Sequence, residues 1–160
     1  MEIEMSNRRF VLSKDLFSVI MELINEQHQA SFTVTGMSMW PFICHGRDKV
    51  IVEKVDSEKL KKGDIILLQT PLGNYLLHRI TRIKGDCFET TGDGNCFRDG
   101  WFPRSCVRAR VVKIIRKEKE MDCDAFGWKM IFWIWGICFP IRRYLLAALR
   151  GISRMKNHFR

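Results

Sequence analysis

Three stretches of the chain carry side chains able to do covalent chemistry together. They are Ser38 in TGMSMWPF, His78 in LLHRI, and the carboxylates Asp93 and Asp99 of GDGNCFRDG. A serine hydroxyl is a poor nucleophile until a neighbouring base removes its proton, and a histidine serves as that base when a third group fixes its tautomer. Serine, imidazole and carboxylate together point to acyl transfer at a peptide carbonyl. Taken singly, each has an ordinary explanation as a turn serine, a core histidine and a tight acidic turn. Gly36 suits the serine's turn, because a residue without Cβ permits strained φ and lets a substrate backbone come close.

The elements that must position these groups follow from the apolar pattern. From Ser13 to about His28, Leu16, Phe17, Ile20, Leu23 and Ile24 follow the i, i+3, i+4, i+7 spacing of an amphipathic helix, with Ser13 as N-cap and Asp15 in its first turn. From there to residue 116 the chain reads as short β runs, DKVIVEKV, DIILLQT, NYLLHRITRI, CFETT and VRARVVKII, separated by KKG, PLGN, KGD and GDGN. The expected fold class is therefore mostly β (α+β), with antiparallel strands. Its divisions are an N-terminal helix at 1–30, a β domain at 31–117 holding every candidate residue, a polar linker at 118–125 and a helical tail at 126–160.

The run Gly36-Met37-Ser38-Met39-Trp40-Pro41 matches GxSMxP. Downstream, in order, stand Gly46-Arg47-Asp48-Lys49-Val50, Lys62-Gly63-Asp64-Ile65-Ile66, Leu77-His78-Arg79-Ile80 and Gly92-Asp93-Gly94-Asn95 followed by Asp99. Over roughly residues 31–116 this series resembles the signal peptidase I family and its relatives among the LexA-like self-cleaving serine peptidases. In bacterial-type members the base is a lysine, whereas the endoplasmic-reticulum and archaeal branch has a histidine in an HR pair, as in His78-Arg79. The resemblance implies a LexA/signal-peptidase-like β domain with Ser38 as nucleophile, His78 as base and Asp99 as the group that orients it, Asp93 being the alternative. It also implies an apolar substrate face formed by Gly36, Met37, Met39 and Trp40. Many members place a serine two residues before the nucleophile; here that residue is Gly36, which leaves the backbone N–H groups of the turn to bind an oxyanion.

Charge bears on the partners. Of the net +9, residues 126–160 contribute +7 with no acidic residue, while residues 1–125 hold 20 basic and 18 acidic side chains. The positive charge is thus a property of the tail rather than of a β-domain face, which argues against nucleic acid. The tail's apolar run, Met130 to Ile141, is 12 residues and includes Pro140, short of the roughly 20 that a spanning helix needs. Three of the five tryptophans, Trp128, Trp133 and Trp135, lie in the tail, and arginines follow, a pairing suited to a headgroup interface. The expectation is a membrane-surface helix, with a single span or a helical hairpin packed on the β domain as alternatives. The opening MEIEMSNRRF is polar, with two glutamates among its first four residues, so no cleavable signal peptide is expected, and six cysteines without a CxxC pair suggest free thiols. Cys44-His45 has no matched partner pair, so neither a metal nor another cofactor is expected.

These readings converge on a membrane-associated serine endopeptidase that cleaves a signal or leader peptide. The alternatives are a non-catalytic membrane-associated peptide-binding module and a self-cleaving LexA-like regulator. The last wants a lysine base and a DNA-binding domain, and neither is visible.

Overall fold

The computed structural model describes residues 17–26 and 28–158. Helix α1 (17–25) leads into strands β1 (Ala30–Thr33), β2 (Asp48–Glu53), β3 (Ile65–Gln69) and β4 (Tyr75–Lys84). Next come β5 (Cys87–Thr91), β6 (Gly100–Pro103), β7 (Val107–Arg116) and β8 (Lys119–Asp122), then helices α2 (Phe126–Ile137) and α3 (Arg142–His158). The strands form one antiparallel sheet in the order β1-β2-β7-β3-β4-β5-β6, with β8 paired to β7. The described residues are thus α+β, an eight-stranded antiparallel sheet with three α-helices.

The run IILL explains why the sheet is covered on both sides. Successive residues of a strand point to opposite faces. Ile65 and Leu67 enter one core cluster with Val50, Val52, Ala109 and the Ile20 and Ile24 pair of α1, whereas Ile66 and Leu68 enter a second with Leu60, Ile80 and Phe88. Spaced four apart, Ile20 and Ile24 lie one turn apart on a single stripe of α1, and Phe17 stacks on Tyr75 at 4.3 Å. The expected cap Ser13 and first-turn Asp15 lie outside the described residues.

Besides the short β1, two strands fall outside the expected β runs. Residues 119–122, expected to be part of a polar linker, form β8, and Arg116 faces Lys119 across the hairpin. Its turn residues, Lys117 and Glu118, have φ of 48° and 65°. Positive φ at both central positions is ordinarily marked by Asn-Gly, so a Lys-Glu pair conceals the hairpin. The other is β6, an edge strand short enough to end at Pro103, whose missing N–H the ladder does not need there.

The tail packs on the β domain. Helix α2 buries Phe132 and Trp135, both edge-on to Phe42 at 5.4 and 5.3 Å, and turns by 63° into α3 near Pro140. Among the described residues no single helix is long and apolar enough to cross a membrane. The outer side of α2 nevertheless leaves Trp133, Ile134 and Ile137 exposed.

The segment that carries Ser38 is pinned by a buried charge. Asp48, with no solvent exposure, accepts hydrogen bonds from the Cys44 N–H, from Arg47 and from Arg116, and Arg116 also donates to the Phe42 carbonyl. Burial opposes the charge on Asp48, but the bonds from Arg47, Arg116 and the Cys44 N–H outweigh it and hold the carboxyl at about 2 against an ordinary 3.8. A depressed carboxyl stabilises the fold above its unfolded value and ceases to do so as pH falls through its folded one. Asp48→Asn is therefore expected to cost about 3 kcal/mol at neutral pH. In urea denaturation its deficit relative to the parent should shrink between pH 4 and pH 2; a deficit constant over that interval would contradict the assignment.

Candidate active site

His78 sits on β4 between β3 and β5, opposite Ile66, and is 5% exposed. Its Nδ1 lies 2.6 Å from Asp99 Oδ2, and the same oxygen accepts a 2.9 Å bond from Thr90 Oγ1. Asp99 is held just before β6 by its own N–H, which donates to the Thr90 carbonyl. Strand β5 therefore fixes the carboxylate through both backbone and side chain, and the carboxylate fixes the ring. With Nδ1 on Asp99, the free ring atom is Nε2.

That atom faces the Ser38 loop across Gly92. A Cβ built on Gly92 would stand 2.5 Å from the Ser38 carbonyl oxygen and 3.1 Å from His78 Nε2, so all three groups crowd one point. The Gly94 N–H donates to the Ser38 carbonyl at 2.7 Å, and a Cβ on Gly94 would press within 3 Å of the Met37 and Trp40 carbonyls. Only glycine fits at these two places. Ser38 is half-buried, and no hydrogen bond joins its Oγ to Nε2 among the described residues. In unliganded hydrolase sites such bonds are often long and tighten only when substrate binds. The turn's own bonds run from Trp40 to Met37 and from Ile43 to Met39, leaving the Ser38 and Met39 N–H groups unengaged by it. Gly36, at φ +93°, starts the turn and donates its N–H to His45 Nδ1.

Asp93 does not reach His78. It forms a two-pronged buried pair with Arg79, Nε to Oδ1 at 2.8 Å and Nη2 to Oδ2 at 2.6 Å, which corrects its reading as the alternative orienter. Alternation along β4 is the reason: His78 and Arg79 point to opposite faces, and Asp93 lies on the Arg79 side. Arg79 also donates to the Gly63 carbonyl and lies 3.8 Å above the Phe132 ring, so it joins the acidic turn, the β3 approach and α2.

The apolar residues flanking Ser38 divide. Met37 is 59% exposed and Trp40 is half-buried beneath the Arg150 guanidinium. Met39 is 2% exposed and belongs to the core with Ile43 and Val34, so it does not line a substrate surface. On either side of Ser38 the turn thus leaves Met37 outside and takes Met39 into the core.

Arg142 is a member of the site that the sequence disguised as a surface cation of the tail. It is 2% exposed and its Nη1 donates to the carbonyls of Gly92 and Asn95, at 3.5 and 3.4 Å, while Nη2 donates to the Trp135 carbonyl. Burial pulls its guanidinium below its ordinary value, with Asp93 opposing. Trp135 Nε1 donates to the Asp93 carbonyl, so both tail helices grip the turn that touches Ser38 and His78. A position relative to Pro140 was the only sequence signal, and it does not distinguish an inward arginine from an outward one. Among the described residues no cluster of three or more histidine, cysteine, aspartate or glutamate side chains is arranged to hold a metal.

Compared with protein-family models and with curated proteins, the chain matches none of them.

The two aspartates have separable costs. Asp93→Ala leaves Arg79 as an uncompensated buried cation and is expected to lose about 3–5 kcal/mol. Asp99→Ala removes bonds to a ring and a hydroxyl and is expected to lose about 1–2 kcal/mol. Urea denaturation of both variants checks the ranking; equal losses would contradict this division of labour.

Proposed function

We propose that the chain is a serine endopeptidase of the signal-peptidase type, acting on a signal or leader peptide with small residues before the cut. The observation that carries the reading is the buried imidazole, tethered at Nδ1 by Asp99 and turned at Nε2 toward the Ser38 loop. A carboxylate at Nδ1 fixes the tautomer whose Nε2 accepts a proton, which is what a serine nucleophile requires.

In this mechanism Ser38 Oγ attacks the scissile carbonyl carbon as His78 Nε2 takes its proton. The Ser38 and Met39 N–H groups bind the oxyanion, each such donor contributing about 3–4 kcal/mol where measured. Collapse breaks the C–N bond, His78 returns the proton to the leaving amine, and water activated by the same imidazole hydrolyses the acyl-enzyme. The edge strand β1, whose one sheet neighbour among the described residues is β2, runs into the Ser38 turn and offers a ladder for an extended substrate. The chain works at a membrane surface in this reading. Support comes from the exposed Trp133, Ile134 and Ile137 of α2 and from the arginines of α3.

The test is cleavage of a peptide carrying an Ala-x-Ala leader. Ser38→Ala and His78→Ala are expected to abolish cleavage while circular dichroism stays at the parent's, and Asp99→Asn to lower kcat by about 10⁴-fold. Cleavage at the parent rate by a folded Ser38→Ala protein would end the proposal.

A further inference from the structure

A cavity of about 540 Å³ opens between the β domain and the tail helices, outside the Ser38–His78 pair. Its size is that of a small-molecule site. Nine basic and three acidic side chains line it. The three acids are engaged: Asp93 by Arg79, Asp124 by Arg110 and Lys129, and Asp64 by the Lys61 N–H with Arg110 at 3.9 Å. On the rim Lys59, Lys61 and Lys62 have no ion-pair partner among the described residues. Across from them Arg98 shares Glu89 with Arg82 and stacks on Phe139. This is a field for an anion.

The opposite wall is apolar. Phe132, Trp133, Gly136 and Ile137 present one face of α2 to the cavity, with Trp133 and Ile137 more than half exposed. Nothing lies within 4 Å of a Cβ built on Gly136, so the helix leaves a slot at the middle of this wall. The wall continues into the exposed apolar side of α2, which gives a chain attached to the anion somewhere to lie. A free phosphate uses the rim and leaves that wall wet; an amphiphile uses both.

We propose that this cavity binds the headgroup of an anionic phospholipid, with its acyl chains running along the outer face of α2. The proposal shares with the proposed function only the placement of α2 at a membrane surface and is independent of Ser38 chemistry. Because the cavity wall includes Asp93 of the acidic turn as well as Arg79 and Arg142, which hold that turn, an occupied cavity borders the turn directly.

The probe is dihexanoyl phosphatidylglycerol below its micelle concentration, titrated calorimetrically into the full chain, so that neither a membrane nor catalysis is needed. Saturable binding is expected, at least tenfold tighter than that of dihexanoyl phosphatidylcholine. It should weaken at least tenfold in Lys61→Glu/Lys62→Glu, which alters the rim, and in Gly136→Leu, which fills the slot. It should persist in Arg143→Glu/Arg154→Glu, which alters α3 alone. Equal binding of the two lipids, equal binding by the cavity variants and the parent, or inorganic phosphate binding as tightly as the lipid would each overturn the proposal. Loss of Ser-dependent cleavage with lipid binding intact would count against the peptidase reading alone.

Discussion

The hydrogen bond from the Gly94 N–H to the Ser38 carbonyl, 2.7 Å long, brings two backbones into direct contact, and the remainder of the candidate site is built around that contact. A methyl group on Gly92 or Gly94 would overlap the Ser38, Met37 or Trp40 carbonyls, so the approach exists only because two residues lack side chains. Each loop is tied from its far side by a buried charge. Asp48 with Arg116 ties the Ser38 segment to β7, and Asp93 with Arg79 ties the acidic turn to β4. Desolvation makes such pairs weak net stabilisers, but removing one partner is costly, so they hold geometry more firmly than they add stability.

The tail belongs to the same arrangement. Trp135 and Arg142 donate to three carbonyls of residues 92–95, and Phe132 lies under the Arg79 guanidinium, so α2 and the start of α3 complete the shell around the acidic turn. The other side of α2 is apolar and exposed. One helix thus carries a scaffold face and an exposed apolar face, and anything that shifts it acts on the turn that meets both Ser38 and His78.

Much of the fold was legible because its signals are local. Strands β2, β3, β4, β5 and β7 fall on the β-like runs, since IILL and VRARVVKII carry their pairing preference in their own side chains. β8 was hidden by a turn whose positive-φ residues are lysine and glutamate, and β6 by its shortness. At the site, the pairing of His78 with Asp99 was implied by the resemblance alone, with Asp93 as the alternative, and the geometry brings His78 and Asp99 together. The partner of Asp93 was not, because which face of β4 a turn lands on depends on sheet topology. The inward turn of Arg142 was not legible either, because a cation between apolar helices looks the same whether it meets water or carbonyls.

If the Asp99-tethered imidazole activates Ser38, as proposed, a serine-directed phosphonylating probe reports it without knowledge of the substrate. Full-length protein treated with a fluorophosphonate is expected to gain one adduct, mapped by mass spectrometry to Ser38 and lost in His78→Ala. An unmodified Ser38 in folded protein, or labelling of Ser38 that proceeds equally without His78, would contradict it.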